Sequence, residues 1–186
     1  MRLLEFSTGG YYHVYNRGTD KRNIFSDVSD YERFLASVLR SMHNLDDRRH
    51  DVAVIAYSLM PNHFHFLLRQ LEDGGVSLFM ERFGNSYTKY FNLRNERSGR
   101  LFESTFKAKV IEDDIYLHSL VDYIHMNAKE LFVSIDEMDQ HAKLLEYPWS
   151  SYRHYQGLIH DPVLDEQEIR EIFGNSQPLA LTNPKG

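Results

Sequence analysis

Apolar and polar positions alternate from Tyr11 to Arg17 (Tyr-Tyr-His-Val-Tyr-Asn-Arg), which predicts a first strand ending at Gly18 with His13 and Tyr15 on one face. From residue 28 to residue 44 the apolar residues Tyr31, Phe34, Leu35, Val38, Leu39 and Met42 recur at helical spacing, after Ser26 and Asp27 as alternative caps. The polar run Asp46-Asp47-Arg48-Arg49-His50-Asp51 then connects to a largely apolar strand over 52–59. The turn Met60-Pro61-Asn62 leads into a second alternating run, His63 to Leu68, so a β-hairpin is expected. Turn residues Glu72-Asp73-Gly74-Gly75 precede a helix from Val76 to about Leu93, marked by Leu78, Phe79, Phe83, Tyr87, Tyr90 and Phe91. After a loop at 97–100, residues 104–111 alternate as a strand. Glu112-Asp113-Asp114 supplies an acidic first turn for a helix running to about Asn127. Beyond Glu130 the pattern weakens, to a short helix opening near Tyr147–Tyr152, an acidic one over Asp165–Phe173 and a loose tail from Asn175 to Gly186.

The predicted order β-α-β-β-α-β-α is that of an α+β, ferredoxin-like antiparallel sheet with one additional helix. A length of 186 residues with 42 % apolar content suits one compact domain plus a tail. The chain has no cysteine, which excludes disulfides, thiolate zinc sites and cysteine nucleophiles. Neither a signal peptide nor a membrane span is visible, so a cytoplasmic protein is expected. The net charge of −6 argues against nucleic acid as a partner, but the average hides an asymmetry. Residues 81–110 carry seven Lys/Arg against three Asp/Glu, whereas residues 111–186 carry five against fourteen. The basic stretch interleaves Arg82, Lys89, Arg94, Arg97, Arg100, Lys107 and Lys109 with aromatic residues, a combination that suits phosphate contacts and base stacking as well as an ordinary solvated surface.

His63 and His65 stand two apart on a strand and must point the same way, with Phe64 and Phe66 turned to the core. Such a pair can hold one divalent cation or simply line a wet strand face. On the late helix, Leu117, Val121, Ile124 and Ala128 make a core stripe. Tyr116, Leu120, Tyr123 and Asn127 flank it on one side, and His118, Asp122, His125 and Lys129 on the other. The first flank places a phenol and an amide oxygen one turn apart beside the buried edge. Packing alone also explains a helical tyrosine there. The second flank has the spacing of a metal site but is expected to be solvated surface.

Five strings in register, Tyr12-His13-Val14-Tyr15-Asn16-Arg17-Gly18, Ala56-Tyr57-Ser58-Leu59-Met60-Pro61-Asn62-His63-Phe64-His65, Gly99-Arg100-Leu101-Phe102-Glu103-Ser104-Thr105-Phe106-Lys107, Tyr123-Ile124-His125-Met126-Asn127 and Tyr147-Pro148-Trp149-Ser150-Ser151-Tyr152, resemble the REP-associated tyrosine transposases. These are single-tyrosine relatives of the insertion-sequence transposases in the HUH superfamily, in which U is any hydrophobic residue. The resemblance runs from about Tyr11 to Gly157, which implies a transposase domain over 1–157 and an acidic, partly flexible extension over 158–186. It implies His63 and His65 as metal ligands, Asn127 completing the site, His13 as a weaker candidate beside them, and Tyr123 as the nucleophile on the additional helix. One departure matters: the family usually has proline directly after this asparagine, where Ala128-Lys129-Glu130 stands here.

By the same resemblance the expected reaction is cleavage and rejoining of single-stranded or hairpin DNA (REP-like repeats or element ends) through a 5′-phosphotyrosine link, with Mg²⁺ or Mn²⁺. Arg17, Lys21, Arg22, Arg94, Arg97, Arg100, Lys107 and Lys109 are the candidate backbone contacts. A homodimer stays open, since family members include dimers and monomers. Two alternatives keep the fold: a domesticated module that binds nucleic-acid structure without catalysis, and a metal-dependent nuclease that uses water.

Overall fold

The computed structural model describes residues 5–42 and 50–174, so the predicted connection at Asp46–Arg49 and the tail Asn175–Gly186 lie outside the described residues. Its strands are β1 (Tyr11–Arg17), β2 (Val52–Met60), β3 (His63–Gln70) and β4 (Lys107–Ile111). Its α-helices are α1 (Val28–Ser41), α2 (Gly75–Arg94), α3 (Asp114–Met126), α4 (Glu137–Glu146), α5 (Tyr152–Tyr155) and α6 (Glu166–Phe173). The sheet runs β2-β3-β1-β4 with every neighbouring pair antiparallel. With α1 between β1 and β2, and α2 between β3 and β4, this is the α+β ferredoxin-like arrangement.

Register assigns the two faces. Tyr15 pairs with His65 and Arg17 with His63, so those four side chains share one face, while Asn16 pairs with Phe64 and Val14 with Phe66 on the other. The second face is the aromatic core under α1 and α2. Phe34 packs against Phe83 (ring centroids 4.6 Å) and Phe64 (5.3 Å), and all three rings are fully buried. Asp27 caps α1 by accepting from Ser29 N (3.0 Å). Gly18 ends β1 where a β-carbon would collide with the Arg22 carbonyl oxygen.

β2 is an edge strand, yet all nine residues are buried. The chain after α4 explains this by capping the open edge: Leu59 N donates to Trp149 O (2.8 Å), Ser151 N to Tyr57 O (3.0 Å) and Asp165 N to Val54 O (2.9 Å). Tyr57 Oη donates to buried Asp161 (2.6 Å), Val163, Leu164 and Ile169 join the main core, and Ile172 and Phe173 pack against it, so the acidic extension is packed through Phe173.

Three expectations need correction. β4 begins at Lys107 rather than Ser104, because the Asn16 side-chain amide donates to the carbonyls of Ser104 (2.9 Å) and Thr105 (3.0 Å) where a ladder would otherwise start. α4 had no counterpart in the sequence pattern; its Met138 is exposed and Leu144 is its buried apolar residue, too little for a stripe. The flank of α3 read as solvated surface is only partly so, since His125 is buried at 2 % exposure.

The packed segment around Ser151 is what covers His125. Ser151 Oγ donates to Tyr57 O (3.1 Å) and accepts from Tyr57 N (2.9 Å), so His125 Nε2 is the donor in its 2.8 Å contact with that hydroxyl. Burial pushes the His125 pKa down to about 3. The unfolded chain takes up this proton near pH 6.5 and the folded protein does not, so the full stability is present above pH 6.5 and falls as the pH drops toward 3. The expected slope from this one group is about 1.4 kcal/mol per pH unit. Thermal melts between pH 7 and pH 5, compared with those of His125→Asn, check it: the variant should show a shallower acid dependence.

Candidate active site

The site lies on the sheet face opposite the aromatic core, where α3 crosses. Leu117, Leu120, Val121 and Ile124 fasten that helix to the sheet. Tyr123 stays half-exposed at the edge of this seam while Asn127 is buried. The Tyr123 ring stands edge-on to His13 and to His65, with both centroid distances 6.0 Å. His63 and His65 meet edge to face at 5.2 Å. A cavity of about 310 Å³ brings together His13, Arg17, His63, His65, Lys107, Lys109, Tyr123 and Asn127.

Each candidate ligand has one polar atom already engaged. His63 Nδ1 donates to Asn62 Oδ1 (2.6 Å), which fixes the tautomer and leaves Nε2 with the lone pair. Buried His65 Nδ1 shares a 2.9 Å hydrogen bond with buried His13 Nε2, leaving His65 Nε2 as its second nitrogen. Asn127 Nδ2 donates to Tyr123 O (2.7 Å), which leaves the amide oxygen to accept or coordinate. Burial lowers all three imidazoles: His65 to about 3, helped by charge on His13 and His63; His13 to about 4, helped by Lys109; and His63 in the same direction, helped by Arg17. Neutral imidazoles are the form that ligates metals.

The basic candidates divide. Arg17, Lys107 and Lys109 line the cavity, with Lys107 paired to Glu103 (2.9 Å), and Lys21 is close enough to Glu103 to help hold its carboxyl below the usual range. The structure does not bring the others to the cavity. Arg94 ties α2 to the start of α1, bonding Asp27 and buried Asp30 (2.6 Å). Arg97 bonds Asn92 (2.7 Å) and the Arg100 carbonyl (3.2 Å), and Arg22 bonds Thr19 O (2.9 Å).

Four cavity residues, Tyr15, Asn16, Glu103 and Glu130, were absent from the sequence-based candidates, and two of them are acidic. Glu130 acts on His63 by raising its pKa against the effect of burial. Glu130 could have been found: without a proline at position 128 the chain continues past Asn127 as a 3-10 helix, Asn127–Phe132, which carries Glu130 back to the site.

The family model described as "Transposase IS200 like" matches residues 7–127, a span that begins before β1 and ends on Asn127. The chain belongs to the IS200-like transposase family. No curated protein matches it. Among solved structures, the REP-associated tyrosine transposase bound to a REP hairpin matches at TM-score 0.63 and 15 % identity, covering 98 % of this chain and 99 % of that one, and so shows the same fold. A proposed transposase from Deinococcus radiodurans R1 matches at TM-score 0.41 and 15 % identity, over 67 % of this chain and 95 % of the other. Among the described residues of this transposase, no helix is long and apolar enough to cross a membrane.

Proposed function

We propose that this transposase cuts and rejoins single-stranded DNA beside a hairpin, with Tyr123 as its nucleophile. The meeting of a half-exposed phenol with three buried or partly buried imidazoles, 6.0 Å from two of them, in a cavity rimmed by Arg17, Lys107 and Lys109 carries this reading. A phenol is a weak nucleophile when protonated, and mounting it on a helix clamped beside the sheet supplies the orientation that makes it effective. Tyr123 Oη forms a bond to the scissile phosphorus as the bond from phosphorus to the 3′-oxygen breaks. The phenol proton departs, the leaving oxygen takes up a proton, and the products are a 5′-phosphotyrosine and a 3′-hydroxyl. One phosphodiester bond replaces another, so a second 3′-hydroxyl can reverse the step and join new ends.

His63 Nε2, His65 Nε2 and Asn127 Oδ1 fit a divalent cation, because the opposite polar atom of each side chain is held by protein. Mg²⁺ or Mn²⁺ bound there would supply Lewis-acid polarisation of the phosphate. Arg17 and Lys109 orient the backbone, while Glu103 and Glu130 disfavour phosphate on their own side of the cavity. The matched structure holds a REP hairpin, and a folded repeat with a single-stranded flank is the substrate proposed here.

Incubating the protein with Mn²⁺ and a 3′-labelled hairpin of this kind should give a labelled adduct on a denaturing gel. Cleavage without an adduct would assign the reaction to water, and binding without cleavage would leave a nucleic-acid-structure-binding module. A second expectation concerns the salt dependence of binding. Lys109→Ala should weaken DNA binding across sequences and reduce the slope of log affinity against log salt by about 1. An unchanged slope in a filter-binding series removes Lys109 from the phosphate contacts.

A further inference from the structure

Away from the cavity, a second set of metal-binding side chains sits where the C-terminal segment covers the β2 edge. His154 on α5, His160 in the following loop and Glu166 at the start of α6 each place one ligand atom within 4.8 Å of the others. We infer that these three residues form a Zn²⁺-class metal site that fastens α5 to the first turn of α6. The reaction proposed above uses none of them, so the inference does not depend on it.

The arrangement is that of a partly assembled site. His160 Nδ1 and Glu166 Oε1 stand 2.9 Å apart. Two ligands bound tetrahedrally at the usual zinc distances stand about 3.3 Å apart, so a cation can take the place of the proton these atoms share with little movement. The other Glu166 oxygen accepts from Arg170 (2.7 Å), which orients the carboxylate from outside as outer partners do at metal sites. His154 is anchored from below: Asp161 N reaches its Nδ1 (3.3 Å), and Asp161 is pinned by Tyr57 Oη. To hold a cation, His154 closes in on the other two side chains while the His160–Glu166 pair opens by a few tenths of an ångström.

Two imidazoles and one carboxylate favour zinc and its neighbours over Mg²⁺, which prefers oxygen ligands. The protein supplies three ligands, and water completes the fourth position. The gain is structural, because the segment so fixed carries three contacts to the β2 edge: Tyr155 Oη to Ile55 O, Tyr57 Oη to Asp161 and Asp165 N to Val54 O.

Zn²⁺ titrated into the metal-stripped 186-residue chain in excess Mg²⁺, followed by calorimetry and thermal melting, tests the inference. His160→Ala/Glu166→Ala should bind one equivalent fewer than the wild type and lose that part of the Zn²⁺-induced rise in Tm. Both positions are at least partly exposed, so the variant should melt like the wild type without metal. His63→Ala/His65→Ala should keep the equivalent, which separates this site from the cavity. Equal stoichiometry and equal Tm shifts in the wild type and His160→Ala/Glu166→Ala would overturn the assignment, as would a wild type that takes up no Zn²⁺.

Discussion

Tyr123→Phe is expected to abolish the covalent protein–DNA adduct and to lower strand cleavage by about 10⁴-fold or more, the scale seen when a covalent nucleophile is removed. The change deletes one oxygen from a side chain that is 53 % exposed, so packing of α3 and the melting temperature should stay close to wild type. The phenol is not among the atoms left to hold a cation, and Asn127 is held by the Tyr123 backbone carbonyl, which the substitution keeps. The variant should therefore retain Mn²⁺ binding and hairpin affinity. This pattern, chemistry lost with both binding functions intact, is one that neither alternative reproduces. A water-using nuclease would keep cutting after the substitution, and a binding module would have had no cleavage to lose. An adduct that persists in Tyr123→Phe sinks the assignment of this residue.

The period-two rule alone predicted that His63 and His65 share a face, because alternation is local geometry wherever a strand carries no bulge, and β3 pairs with β1 in unbroken register there. The helical stripe of α3 was legible for the same reason: Leu117, Val121, Ile124 and Ala128 are all buried. What local pattern could not carry was information about distant partners. His125 looks polar on a helical wheel and is buried because Ser151, twenty-six residues later, covers it. Arg94 belongs to a basic stretch that suggests DNA, but it is held by Asp27 and Asp30, more than sixty residues earlier. The start of β4 was misplaced because one side chain, Asn16, occupies the carbonyls that the alternation appeared to offer to a neighbouring strand.

The site shows the same division. The histidine pair and the candidate tyrosine were visible as separate local facts, while their meeting depends on which face α3 covers. α1 and α2 fill the Phe64 face, so α3 is left with the histidine face, and its amphipathic seam then sets Tyr123 at the border of that contact. His13 joins because β1 lies between β3 and β4 in the sheet, an order that the succession of elements implies but the spacing of residues does not.

His65→Ala should be the more disruptive substitution, since it removes a candidate ligand and leaves buried His13 without its partner. Loss of the ligand should weaken Mn²⁺ binding by more than about 100-fold, beyond the range expected for outer-shell changes, and the adduct should fall with it. The unpaired His13 nitrogen adds a cost of about 1–3 kcal/mol, so a lower melting temperature is expected in this variant and not in Tyr123→Phe. His13→Phe separates the two effects. It leaves His63, His65 and Asn127 in place but removes the hydrogen bond that orients the His65 ring and leaves His65 Nδ1 unpaired, so the melting temperature should fall while Mn²⁺ affinity drops only about 10- to 100-fold and the adduct returns at higher Mn²⁺. Electron paramagnetic resonance of free Mn²⁺ gives the affinity without reference to turnover. A His65→Ala protein that binds Mn²⁺ as the wild type does, and still forms the adduct, would show that the paired imidazoles only line the cavity.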